Sequence, residues 1–219
     1  MKWNKKFKYP ESTKSIQKSF KAKLPSVSTI LKETMSDEKK LAIQKWMERV
    51  GNEEAKKIKK DASSRGDKMH IYIDNFLSQR KMLQLEDDKP YKMAQTIIEN
   101  GIKGHLKEIW STEAVLYFPE KYVGITDLVG KMDNDLETVI DFKQSNTPKQ
   151  EKYCEDYFLQ LAAYILAHDK VYKTTITQGI ILLCTENYMF QSFVLDGEKL
   201  EKYKKLFLER IEQYYKKLR

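Results

Sequence analysis

At 219 residues the chain is long enough for one sizeable core with a helical extension, and too short to add a second full domain. Lys and Arg number 40 against 32 Asp and Glu, a net charge of +8 that favours a polyanionic partner such as nucleic acid or an anionic membrane. No apolar run approaches the roughly 18 residues of a bilayer span, and two cysteines, Cys154 and Cys184, are too few for a disulfide framework or a four-cysteine iron–sulfur cluster.

Residues 1–25 are polar and lysine-rich and lack the apolar stretch of a secretory signal, so they read as a basic arm, partly disordered or ordered on contact, of an intracellular protein. Residues 26–105 read as helical. Pro25-Ser26-Val27-Ser28 offers caps before Ile30 and Leu31, and Ser36-Asp37-Glu38 opens a second helix that Gly51 ends. A third starts near Asn52 and runs past Gly66 into MHIYIDNFL, and a fourth covers Tyr91 to about Ile102. From Trp110 the pattern is β: TEAVLYF, YVGITDLVGKM and LETVIDFKQ, separated by turn chemistry at Phe118-Pro119-Glu120 and Asp133-Asn134-Asp135. Residues 153–169 form a helix, TTITQGIILLCT and MFQSFVL two further strands, and an amphipathic helix with Leu200, Leu206, Phe207 and Ile211 facing inward closes the chain. The order of elements predicts an α/β fold, a mixed central sheet flanked by helices with a helical N-terminal half (26–105) and a core at 106–219, all one structural domain.

TVIDFKQS, residues 138–145, sets Asp141 and Lys143 into an apolar run that reads as a buried strand, where an unpartnered charge is costly. If Asn134 centres the preceding turn, residues whose numbers sum to 268 lie opposite each other, and Asp127 and Asp141 satisfy that sum. Directly opposed residues of an antiparallel pair share a face with Cβ atoms about 5 Å apart, and the period of two adds Lys143 to that face. Two carboxylates so close repel unless a cation lies between them. Mg²⁺ or Mn²⁺ would resolve the conflict and could act on a phosphodiester, with the neighbouring ammonium neutralising developing charge.

On the helix before the sheet, Gly66 and His70 stand four apart, and an imidazole there could reach a metal held by the sheet. Along the helix after the hairpin, Tyr153, Tyr157, Gln160, Tyr164 and His168 recur at spacings of 4, 3, 4 and 4. That places a polar-aromatic stripe opposite the apolar one, facing outward, where rings could stack on bases and amides contact phosphates.

These pieces, Gly66-x-x-x-His70, Gly124-Ile-Thr-Asp127, Ile140-Asp141-Phe-Lys143 and Gln160-x-x-x-Tyr164, resemble in order and spacing the motifs of the PD-(D/E)XK nuclease superfamily in its RecB-type exonuclease branch. SVSTILKET, WMERVGNEEAKKI and SSRGDKMH are more narrowly similar to the mitochondrial genome maintenance exonuclease group and its phage relatives. The resemblance implies a restriction-endonuclease-like core and a Mg²⁺- or Mn²⁺-dependent DNA exonuclease preferring single strands or frayed ends. A structure-selective endonuclease or a noncatalytic nucleic-acid-binding module on the same fold is the alternative. It implies Asp127, Asp141, His70 and the Phe142 carbonyl as metal ligands, with Glu113 a further candidate whose alternation with Val115 and Tyr117 fits an ordinary strand equally well. Lys143 would be catalytic together with the two aspartates, and Gln160, Tyr164, Tyr157, Gly66, Arg65, Lys149 and Lys152 would contact DNA. It further implies no iron–sulfur cluster, a monomer in the cytoplasm of a bacterial or phage-infected host, DNA as partner and no membrane.

Overall fold

The computed structural model describes residues 1–20, 23–79 and 88–218. Lys2–Trp3 (β1), an edge strand, pairs in parallel with Leu106–Phe118 (β2), which pairs antiparallel with Tyr122–Met132 (β3), itself antiparallel to Glu137–Ser145 (β4). Gln178–Thr185 (β5) lies parallel to β4, and Phe190–Asp196 (β6) antiparallel to β5, completing a mixed six-stranded sheet in sequence order. The helices are Thr13–Phe20 (α1), Val27–Glu33 (α2), Asp37–Val50 (α3), Asn52–Leu77 (α4), Lys89–Ile97 (α5), Glu155–Tyr172 (α6) and Gly197–Lys217 (α7). None of them is long and apolar enough to cross a membrane. The expected α/β architecture is therefore the observed one.

Strand alternation divides the core between the two faces of the sheet. Trp110, Val129, Val139, Ile181 and Leu183 pack under α6, α7 and α2, while Ile109, Leu128, Ile140, Phe142 and Leu182 pack under the second half of α4 and under α5. The hairpin register is the expected one: Leu128 opposes Ile140 and Val129 opposes Val139, both pairs summing to 268. Burial of both faces specifies it, because a one-residue slip would exchange every side chain between the two cores.

Helix starts follow the capping chemistry. Ser26 accepts from the Thr29 N–H, Ser36 from Lys39 and Asp88 from Tyr91, and Gly51, at φ +90°, ends α3. No side chain of α3 is buried, and α4 becomes part of the core only from Met69 onward, apart from Ala55. The α3–α4 hairpin is instead anchored at its two ends. Lys39 pairs with Glu155 and Asp156 at the start of α6 (2.7 and 2.8 Å), and Gln144 at the end of β4 donates to the Ala62 carbonyl at 3.0 Å. The hairpin thus bridges the α6 face and the α4 face beyond the C-terminal end of β4.

The lysine-rich N-terminal residues supply β1 and α1, and their aromatic side chains dock. The Trp3 indole donates to the Leu77 carbonyl at 3.0 Å, and Phe7 and Tyr9 enclose His168 together with Trp110 and Tyr172.

The stripe expected to face outward on α6 does not. Tyr157 and Gln160 are half-buried, but Tyr164 and His168 are buried. The helix lies between the sheet on one side and α2 and α7 on the other, so nearly all of its circumference is dry and polar spacing alone could not choose the exposed side.

Candidate metal centre

The β3–β4 ladder stops at Leu128 and Ile140, one residue short of the two aspartates. There the Asp127 carboxylate takes over from the backbone: its Oδ2 accepts the Phe142 N–H at 2.6 Å. Helix α4 crosses the same point and lays His70 against it. Nε2 donates to the Phe142 carbonyl at 3.0 Å, and Nδ1 lies 3.3 Å from Asp127 Oδ1. Both ring nitrogens face acceptors. Burial lowers the His70 pKa, but the hydrogen bond and charge of Asp127 outweigh it, and the net shift is upward.

Glu113 joins them from the neighbouring strand β2, whose register sets it opposite Asp127. Thr112 opposes Leu128 and Ala114 opposes Thr126, while Glu113 between them takes φ +47°, a left-handed conformation that costs a non-glycine residue on the order of 1–3 kcal/mol. One ligand atom each from His70, Glu113 and Asp127 lies within 4.8 Å of the others. Burial, and then the Asp127 charge, pushes the Glu113 pKa up to about 7. The ordinary strand position that alternation with Val115 and Tyr117 offers is the one that sets Glu113 opposite Asp127.

Asp141 stands outside that trio. It is 2% exposed and ion-paired through Oδ2 to the Lys143 ammonium, yet Oδ2 has no hydrogen-bond partner of normal geometry among the described residues. Burial raises the Asp141 pKa against the pull of Lys143, and the Asp141 and Asp127 charges keep the Lys143 ammonium protonated despite burial. The Tyr157 ring covers that ammonium at 5.4 Å from its centroid, and Lys149 approaches the same ring at 6.0 Å.

The donor set fits a hard divalent cation. Two carboxylates and one imidazole converge, the Phe142 carbonyl lies against that imidazole, and the buried Asp141–Lys143 ion pair adds a third carboxylate beside them. Oxygen-rich sets of this kind suit Mg²⁺ and Mn²⁺.

The remaining expected contacts divide. Gln160 donates to the Tyr164 hydroxyl at 2.8 Å, and Tyr164, 4% exposed, packs against Gly124, where a Cβ would lie 2.6 Å from Cε1 of its ring. Lys152 lies over the exposed Tyr153 ring at 5.0 Å, and the Lys149 backbone N–H donates to Gln191 at 2.8 Å. Arg65 is not a free cation awaiting phosphate. Its guanidinium donates twice to Gln144 (3.0 and 2.8 Å) and once to Asn146, and it pairs with Glu186 at 2.6 Å. It ties α4 to the end of β4, and Gly66, whose added Cβ would sit 3.5 Å from Gln144 Cγ, lets the helix approach there. No motif spacing signals Gln144, Asn146 and Glu186 as its partners, because Glu186 lies far away in sequence.

No family model matches the chain. The chain is 29% identical to mitochondrial genome maintenance exonuclease 1 of Mus musculus and 25% identical to that of Homo sapiens, in each case over 89% of its length. It spans 60% and 59% of those relatives' lengths. Among solved structures, an alkaline exonuclease from Laribacter hongkongensis is 14% identical, covers 59% of this chain and 68% of its own, and superposes with a TM-score of 0.33, a likeness too loose to bear on the fold. The order of motifs and this comparison agree: the chain is similar in sequence to the mitochondrial genome maintenance exonucleases, consistent with a PD-(D/E)XK-type nuclease.

Proposed function

We propose that the chain is a divalent-metal-dependent deoxyribonuclease that hydrolyses DNA from an end and prefers single strands or frayed ends. The observation that carries this reading is the convergence of His70, Glu113 and Asp127 beside the Asp141–Lys143 pair. Asp127, Glu113 and His70 would hold Mg²⁺ or Mn²⁺, with the Asp141 carboxylate and the Phe142 carbonyl completing the protein's share of the shell. Bound there, the ion would polarise the phosphodiester and lower the pKa of a water. Lys143 supplies a charge that Asp141 and the Tyr157 ring hold in place, suited to the charge that develops at the reacting phosphate. His70 and Asp127 also engage the carbonyl and the N–H of Phe142, so the backbone at the centre is preorganised.

Support for an end-directed, single-strand preference comes from the α3–α4 hairpin. It bridges both faces of the sheet next to Lys143 and Gln144, and its α4 arm carries Lys56, Lys57, Lys59 and Lys60. A bridge over the site admits a flexible strand by threading and hinders a rigid duplex. The test is an end-labelled linear single strand incubated with Mg²⁺ or Mn²⁺: progressive shortening, abolished by EDTA, is expected. No cleavage with either ion would leave a nucleic-acid-binding module on a nuclease fold.

A further inference from the structure

Beside the metal centre, on the α6 face, α1, α2, β3 and α6 enclose a cleft of about 830 Å³. Its wall includes Gly124, Gln160 and Tyr164, so it is continuous with the motif residues. The Tyr164 ring packs on Gly124, three residues before Asp127 on β3, which brings the cleft wall alongside the metal centre. Across that ring the chemistry reverses. Where the metal centre gathers two carboxylates and an imidazole, none of the described residues lining the cleft is acidic. Its polar lining consists of neutral hydroxyls and amides with one ammonium: Ser28, Thr29, Gln17, Gln160 and Lys23, with the Tyr214 ring alongside. The Ser28 side chain is exposed, and its hydroxyl is 2.9 Å from that of Ser26, which is itself engaged in capping α2. The floor is apolar, with Ile125 43% exposed on β3 although its neighbours there are buried. The space is built in: a Cβ on Gly124 would also come within 3.1 Å of Val27 on α2.

A cleft of hydroxyl and amide donors without acceptors of full negative charge, over an apolar floor with an aromatic ring, matches a sugar-phosphate backbone with its base. We propose that this cleft binds the segment of a single-stranded nucleic acid adjoining the scissile phosphate, Ser28 and Thr29 donating to phosphate oxygens and Ile125 with Tyr214 receiving the sugar and base. The inference rests on the nuclease reading for the position of the scissile phosphate and on the cleft alone for the binding.

The experiment uses the full chain and a fluorescein-labelled oligothymidylate of about 12 nucleotides, within the usual site size of single-strand binders. Anisotropy is recorded in EDTA and in Ca²⁺. Ser28→Asp and Ile125→Asp each place a carboxylate against the strand at an exposed position, and each is expected to weaken binding about tenfold or more, while in Ser28→Asp, which lies on α2 away from the metal ligands, Mn²⁺ affinity by calorimetry stays at the wild-type value. Oligonucleotide affinity unchanged in both variants would overturn the proposal. On the wild-type protein, photocross-linking with a 4-thiothymidine strand is expected to label the peptides carrying Ile125 or Tyr214, and labelling confined to other peptides would equally overturn it. If Mg²⁺ and Mn²⁺ support no cleavage at all, the nuclease reading falls, while the cross-links still decide the cleft.

Discussion

Asp127 accepts the backbone N–H of Phe142 at 2.6 Å, and Phe142 offers its carbonyl to His70 at 3.0 Å. Both backbone groups of one β4 residue are thus held by side chains of two other elements, β3 and α4. A strand pair that ends in this way exposes its last carboxylates to each other instead of to a ladder, and that is the geometry a bound cation needs.

The first expectation concerns the metal. Removing the charge of Asp127, through Asp127→Asn, takes a carboxylate from the trio and should weaken Mn²⁺ binding by about tenfold to 100-fold, with Glu113→Gln acting in the same direction. Calorimetry of both variants reads this directly, and wild-type affinity in both would remove the assignment.

A second concerns Lys143. Lys143→Ala should retain DNA binding and lose on the order of 10² or more in turnover, because the ammonium acts on charge that develops in the reaction. It also leaves Asp141 buried without its partner, so a thermal melt accompanies the kinetics. Full turnover in a folded variant would reduce Lys143 to a structural ion-pair partner.

The bridging hairpin sets the third. Linear single-stranded DNA should be degraded from an end, while closed circular single strands and blunt duplex persist much longer. Equal rates on linear and circular strands would mean endonucleolytic cleavage. Lys39→Glu, which breaks the anchor of the hairpin to Glu155 and Asp156, should narrow the difference between the two substrates.

Gly124 provides a fourth, on stability. Gly124→Ala drives a methyl to 2.6 Å from the buried Tyr164 ring and 3.1 Å from Val27, an overpacking expected to cost about 1–3 kcal/mol in chemical denaturation. An unchanged midpoint would mean that Tyr164 moves freely, contrary to its bond with Gln160.

His168 yields a prediction in pH. The Thr174 hydroxyl donates to Asp169 at 2.7 Å, so it accepts from His168 Nδ1 at 2.8 Å, and Nε2 is left to accept from the Tyr9 hydroxyl at 2.9 Å. Burial, and then the Lys6 charge, lowers the His168 pKa from 6.5 to about 4, so the folded chain holds a neutral ring that the unfolded chain protonates first. Stability contributed by this site is complete above about pH 6.5 and is lost progressively as pH falls toward 4, amounting to about 3 kcal/mol in full. Urea midpoints for wild type and His168→Gln at pH 7.5 and 5 measure it, and the variant should show the smaller drop. Parallel drops in the two proteins would refute the assignment.

How much of this was legible in the residues follows from the range of the interactions. Capping by Ser26 and Ser36, the break at Gly51 and the hairpin register summing to 268 are local or turn-determined, and the linear order of residues contains them. The proximity of Asp127, Asp141 and Lys143 follows from that register and the period of two. Tertiary structure alone decided which side of α6 is dry, because burial there is imposed by α2 and α7 from distant parts of the chain, and so Tyr164 and His168 turned inward. It also decided that Arg65 is consumed by Gln144 and Glu186, and that Glu113 on β2 lies opposite Asp127 on β3. Periodicity records which residues share a face of one element; only the packing of that element against others determines whether the face meets solvent, a core or a charge.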